Sequence, residues 1–143
     1  MDRLLEHTRS GPFYMSQPAV ASMIVEAILY NSEVLGHYEL HAFVVMPNHV
    51  HLLITPSVPL RKLTKSLKSI TARRANEMLG LTGTTFWQEE SYDHTVRDRR
   101  EFTNIWRYIE HNPVRAGLAI QADCFRRSSA TRGSRADLGV RRT

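Results

Sequence analysis

A single cysteine, Cys124, among 143 residues excludes an intrachain disulfide and any zinc site built from several thiolates, which leaves histidine as the main candidate metal ligand. Long apolar runs are missing as well. The longest, Ala42 to Met46, is far too short to cross a bilayer, and no apolar stretch follows the early charges of the N-terminus. The chain contains no phosphate-binding glycine loop, serine-hydrolase elbow or internal repeat. These absences predict a soluble, cytoplasmic protein with no membrane partner. What is present is 42% hydrophobic residues, enough for one compact domain with its own core.

The net charge of +5 comes from 19 basic and 14 acidic residues, and its placement says more than its total. Residues 1–125 hold 13 of each and cancel. Residues 126–143 hold Arg126, Arg127, Arg132, Arg135, Arg141 and Arg142 against Asp137 alone, and their Ser, Arg and Gly content reads as a basic, disordered tail. The expected organisation is one domain over 1–125 followed by that tail. A second basic cluster, Arg61, Lys62, Lys65, Lys68, Arg73 and Arg74 against Glu77, lies inside the balanced part. Two such clusters suit a polyanion such as nucleic acid, or equally two solvated surfaces.

The stretch from His41 to Pro56 is rich in Val, Ile, Phe and Leu and is interrupted by Met46-Pro47-Asn48, which predicts two β-strands joined by a tight turn. Side chains alternate along a strand, so His49, His51 and Leu53 share one face while Val50, Leu52 and Ile54 take the other. Two neutral imidazoles projecting together can hold a metal ion against a substrate. The same pair also reads as two packing histidines on a half-buried sheet.

Around this hairpin the spacing predicts three helices. Ser16-Gln17-Pro18 starts the first, and Val20, Met23, Ile24, Ala27 and Ile28 form its apolar stripe until Gly36. The second carries Leu60, Leu63, Leu67 and Ile70 on one side, with Lys62 and Lys65 off that stripe. A strand is expected in the segment ending at Val96. The last helix runs from Asp98 to Asn112, where Pro113 ends it, with Phe102, Ile105, Trp106 and Ile109 as core. Tyr108 lies off this stripe, on the side shared with Asn104 and Asn112.

Val45-Met46-Pro47-Asn48-His49-Val50-His51-Leu52-Leu53, followed by a basic helix, Phe86-Trp87-Gln88, Tyr92-Asp93-His94 and then Tyr108 to Gly117, resembles the IS200-like single-tyrosine transposases, in particular the branch associated with repetitive extragenic palindromes. The resemblance covers about residues 12–130 and rests on two separated motifs in the right order. It implies a metal site at His49 and His51 and a tyrosine nucleophile at Tyr108, with Asn112 as a third ligand or a water positioner. Tyr92 is the rival nucleophile, and His41, His94 and His111 read as structural or surface groups.

The implied substrate is single-stranded DNA with hairpin or palindromic structure, and a monomer or homodimer is expected. A phosphodiester resists nucleophiles because its oxygens are anionic, so a divalent cation, Mg²⁺ or Mn²⁺, would neutralise that charge and orient the phosphate. Attack by Tyr108 would conserve the bond energy in a 5′-phosphotyrosine, allowing strands to be rejoined without ATP. Lys62, Lys65, Lys68, Arg73 and Arg74 are the expected contacts to the DNA backbone.

Family members begin with a strand of alternating aromatic and Thr residues beside the histidine strand. Met1-Asp2-Arg3-Leu4-Leu5-Glu6 lacks that pattern, and residues 1–17 read as a helical turn and a loop. The expected fold is therefore α+β, a ferredoxin-like antiparallel sheet with helices packed on it and its first strand missing, which would leave an open edge next to the site. Two further readings follow: a catalytically inactive hairpin-specific DNA-binding remnant, and a small hydrolase that uses the histidines without a covalent step.

Overall fold

The computed structural model describes residues 1–8, 14–87, 92–115 and 128–129. Among them an antiparallel sheet is ordered β2-β3-β1-β4, with β1 Arg3–Thr8, β2 Tyr38–Val45, β3 His49–Pro56 and β4 Tyr92–Thr95. The helices are α1 Pro18–Glu33, α2 Leu60–Leu79, α3 Arg99–Glu110 and the single turn α4 Asn112–Arg115. The order β1-α1-β2-β3-α2-β4 with β1 and β3 adjacent is the ferredoxin-like arrangement expected from the sequence. No helix among the described residues is long and apolar enough to cross a membrane.

Alternation along the strands divides the core in two. Leu5, Phe43, Val45, Val50, Leu52 and Ile54 point to one side and are buried with Val20, Ile24 and Ile28 of α1 and Leu63 and Leu67 of α2. Ala42, Val44 and Leu53 point to the other side, where Ile109 of α3 is buried with them and Phe102, Ile105 and Trp106 pack around it. The predicted stripe of α3 is thus the one that docks. Trp87 is anchored under α2 by donating its indole N–H to Thr71 Oγ1 at 2.9 Å. Helix α2 stops at Gly80, whose φ of 71° is the left-handed conformation that a side chain resists.

The missing first strand is an expectation the structure overturns. Residues Arg3–Thr8 form β1, which pairs with β3 on one side and β4 on the other. A central strand covered by helices on both faces needs no polar alternation. Leu5 enters the α1/α2 core while Leu4 packs on the α3 side, so two neighbouring leucines hide the period of two. The polar residues that made the segment look like a loop have partners: Arg3 donates Nε to Asp93 Oδ1 of β4 at 2.9 Å and completes a bidentate ion pair with its second nitrogen. The edge beside the histidines is therefore closed.

Two smaller differences follow. Helix α3 ends at Glu110, two residues before the expected stop, because His111 leaves helical geometry (φ −96°, ψ 2°). Pro113 then lies inside the new turn α4, in a first turn where its missing N–H costs nothing. In the segment expected to be a tail, Ser128 and Ser129 are buried; Ser128 bridges to Val44 on the outer strand β2, and Ser129 Oγ accepts from Phe43 N at 2.9 Å and donates to Glu110 Oε2 at 2.8 Å. The other arginine-rich residues of that segment lie outside the described residues.

Candidate active site

The sheet alternation that builds the two cores also builds a polar cluster on the α3 side. His49 and His51 stand two residues apart on β3 with ring centroids 4.7 Å apart and planes nearly perpendicular. Glu6 is the direct cross-strand partner of His51 in the β1–β3 register, so its carboxylate projects from the same face. Ligand atoms of Glu6, His49 and His51 all lie within 4.8 Å of one another. Sequence reasoning missed Glu6 because it missed β1; once that strand is recognised, alternation places Glu6 with Leu4 on the α3 side.

The imidazoles are held in a state suited to ligation. His49 Nδ1 lies 2.9 Å from Asn48 Oδ1, which as a donor–acceptor pair places the proton on Nδ1 and leaves Nε2 with its lone pair. Burial holds the His49 pKa below the ordinary imidazole value, an effect partly offset by Glu6 and by a hydrogen bond with Asn112. His51 is 4% exposed, and burial first, then His49 and Arg115, pull its pKa down to about 3. Both rings are therefore neutral at pH 7. His51 Nδ1 is buried with no hydrogen-bond partner among the described residues, and Nε2 is 3.7 Å from Glu6 Oε2, beyond hydrogen-bond length. The ligand atoms of two neutral imidazoles and a carboxylate lie within 4.8 Å of one another, and the His51 ring has no hydrogen-bond partner among the described residues. That donor set fits a divalent cation.

Tyr108 comes to this cluster from the end of α3. Its ring stands edge-on to His51 with centroids 5.6 Å apart, and it is 42% exposed, so the phenol is open to a substrate. The turn at His111 carries Asn112 out of the helical line and buries it beside His49. Asn112 is therefore next to the metal-ligand candidates, in the turn after α3 rather than on the tyrosine helix itself. The same turn brings Arg115 back, its guanidinium carbon 4.3 Å from the Tyr108 ring centroid. Arg115 was visible in the sequence only as part of a motif, with nothing to assign it a role.

Other candidates lie elsewhere. Tyr92 opens β4, and its side chain is outside the described residues. His41 Nε2 contacts Thr55 Oγ1 at 2.6 Å, His94 Nε2 contacts Glu101 Oε2 at 2.9 Å, and His111 Nδ1 contacts the Arg107 carbonyl at 3.1 Å. Lys62, Lys65, Lys68, Arg73 and Arg74 are on α2, whose leucines pack on the face of the sheet opposite the histidines. The structure brings His49, His51, Tyr108 and Asn112 together and keeps the basic row of α2 apart from them.

Comparison with known proteins agrees with this layout. An uncharacterised protein of Haemophilus influenzae (strain Rd) is 25% identical over 99 residues, covering 50% of this chain and 52% of that protein, so the chain spans about half the length of the curated relative it matches. A REP-associated tyrosine transposase bound to a REP hairpin superposes with a TM-score of 0.72 at 18% identity, over 98% of this chain and 81% of the other, a likeness of fold. The crystal structure of a candidate transposase from Deinococcus radiodurans superposes with a TM-score of 0.52 at 25% identity, over 78% of this chain and 89% of the other. The family model described as "Transposase IS200 like" matches residues 19–112, a span that holds both histidines, Tyr108 and Asn112. By that match the chain belongs to the IS200-like transposase family.

Proposed function

We propose that the protein is a metal-dependent DNA strand transferase that cuts and rejoins single-stranded DNA through a 5′-phosphotyrosine at Tyr108. The observation that carries this reading is the placement of an exposed phenol 5.6 Å, ring to ring, from a buried histidine whose neighbours are a second histidine and a carboxylate. Mg²⁺ or Mn²⁺ held by Glu6, His49 and His51 would supply positive charge opposite the anionic phosphate oxygens. Tyr108 Oη attacks the phosphorus, a P–O bond to Tyr108 forms, and the bond to the departing 3′ oxygen breaks. The phenol gives up its proton and the 3′ oxygen takes one up. Because phosphotyrosine retains the energy of a phosphodiester, attack by another 3′-hydroxyl reverses the step and joins a new strand.

Asn112, hydrogen-bonded with His49, would orient that ring and add an amide oxygen to the cation's shell. The partner proposed is hairpin-bearing DNA, supported by the similar fold of the transposase bound to a REP hairpin. Lys62, Lys65, Lys68, Arg73 and Arg74 supply sequence-independent backbone contacts outside the site in this reading. The reading as an inactive remnant drew its support from a missing strand, and β1 removes that support.

The test is to incubate the protein and Mn²⁺ with labelled single strands that carry a hairpin and randomised flanks, and to search for an adduct that survives denaturation. Loss of the adduct in Tyr108→Phe is expected. Cleavage that persists in Tyr108→Phe would replace this reading with a hydrolase, and binding without cleavage would replace it with a DNA-binding protein.

A further inference from the structure

Arg115 lies over the ring of the nucleophile, and its setting differs from that of the paired arginines in the domain. Arg3 is clamped by Asp93, and Arg97 is paired with Glu101. Arg115 is exposed and has neither an ion pair nor a side-chain hydrogen bond among the described residues, yet it is held in place. Its backbone N–H donates to the His111 carbonyl at 3.1 Å, it sits on the same turn as the buried Asn112, and its guanidinium carbon lies 4.3 Å from the Tyr108 ring centroid. Resting on an aromatic face fixes a guanidinium without using its N–H donors. The result is a positioned cation on the ring of the nucleophile, whose fork of donors has no partner among the described residues.

We propose that Arg115 is a further catalytic residue, whose guanidinium grips a non-bridging oxygen of the phosphodiester attacked by Tyr108 while its contact with the ring aims the phenol at phosphorus. This rests on the phosphotyrosine reading above. Guanidinium recognises a tetrahedral phosphate by paired hydrogen bonds, and a donor aimed where negative charge accumulates acts mainly on the chemical step. No group transfer to Arg115 is involved; it remains protonated throughout.

The experiment uses the full chain and the oligonucleotide selected in the cleavage assay, in two forms: with the native phosphodiester and with a methylphosphonate of each configuration at the mapped position. Single-turnover rates of adduct formation are measured for the wild type, Arg115→Ala and Arg115→Lys, alongside affinity for DNA in a Tyr108→Phe background. Arg115→Ala is expected to slow adduct formation by about 100-fold, the scale of losing one oxyanion donor, with DNA affinity changed by less than about 3-fold. Arg115→Lys keeps the charge without the fork and falls between.

The decisive comparison is the cost of neutralising the phosphate oxygen. For at least one configuration that cost is at least about 10-fold smaller in Arg115→Ala than in the wild type, because the variant has already lost that oxygen's partner. A merely structural role would slow both substrates equally, and equal costs overturn the proposal. A wild type that forms adduct with an unaffected Arg115→Ala overturns it while leaving the phosphotyrosine reading intact. No adduct in the wild type with any strand overturns both.

Discussion

Glu6→Gln changes one oxygen to an amide nitrogen at constant shape, and so separates ligation from packing. Glu6 sits on β1 directly across from His51 and is the carboxylate in the candidate donor set. Removing its charge is expected to weaken Mn²⁺ binding by about 10- to 100-fold, the range seen even for residues one shell further out. Ligand that binds only the folded state stabilises it by mass action, by about 2.7 kcal/mol at 100 times Kd. At the same Mn²⁺ concentration, the variant would retain about 1.4 kcal/mol after a 10-fold loss of affinity and about 0.4 kcal/mol after a 100-fold loss.

For a domain of 143 residues, each kcal/mol moves the melting temperature by about 3 °C. Wild-type protein should therefore melt about 8 °C higher with Mn²⁺ than with a chelator, and Glu6→Gln about 1 to 4 °C higher. Calorimetric melting with and without Mn²⁺ reads both numbers, and Mn²⁺ electron spin resonance gives the affinity independently of heat. An unchanged Mn²⁺ shift in the variant would refute ligation by Glu6. Absence of any shift in the wild type would refute the metal site itself.

Ser129→Ala removes one donor to the buried Glu110 carboxylate and the acceptor for Phe43 N, so urea unfolding should show a loss of about 1–3 kcal/mol; an unaltered midpoint would mean that the C-terminal segment does not brace α3. Glu101 is held at a pKa of about 2, first by the Arg97 backbone N–H and then by His94. Its folded pKa is below its unfolded value, so its stabilisation is complete above the unfolded pKa and disappears as pH falls from about 4.5 towards about 2; Glu101→Gln should flatten the stability curve in that window, and an identical curve would disprove the assignment. His51 is likewise depressed to about 3, by burial before its charged neighbours. In metal-free protein the unfolded chain binds this proton more readily, so stability should decline as pH drops from about 6.5 towards about 3. His51→Asn should lose that decline, which denaturant titrations across the range can check.

Much of this architecture was legible because it depends on local periods. The period of two in His49-Val50-His51 predicted a shared face, and the shared face is observed with the rings in contact. The 3.6-residue period of Phe102, Ile105, Trp106 and Ile109 predicted which side of α3 docks, and with it that Tyr108 would stand at the margin of the core. β1 was not legible for the same reason. It carries Leu4 and Leu5 side by side on opposite faces, both packed on core, and its polar residues answer to partners far along the chain, Arg3 to Asp93 and Glu6 to His51. Pro113 predicts a helix stop at Asn112, whereas the break occurs at His111 and the proline sits inside the next turn.

By itself, then, the sequence determined the hairpin, the common face of His49 and His51, the docking stripe of the tyrosine helix and the family, since each is written in residues close together or in motifs of fixed order. Only the tertiary structure decided that Glu6 joins the histidines, that Asn112 is buried against His49 and that Arg115 lies over Tyr108. Those contacts depend on strand register and on the turn after α3. Register is an outcome of packing between segments far apart in the chain, and the turn breaks the helical period at His111, so no local period encodes either.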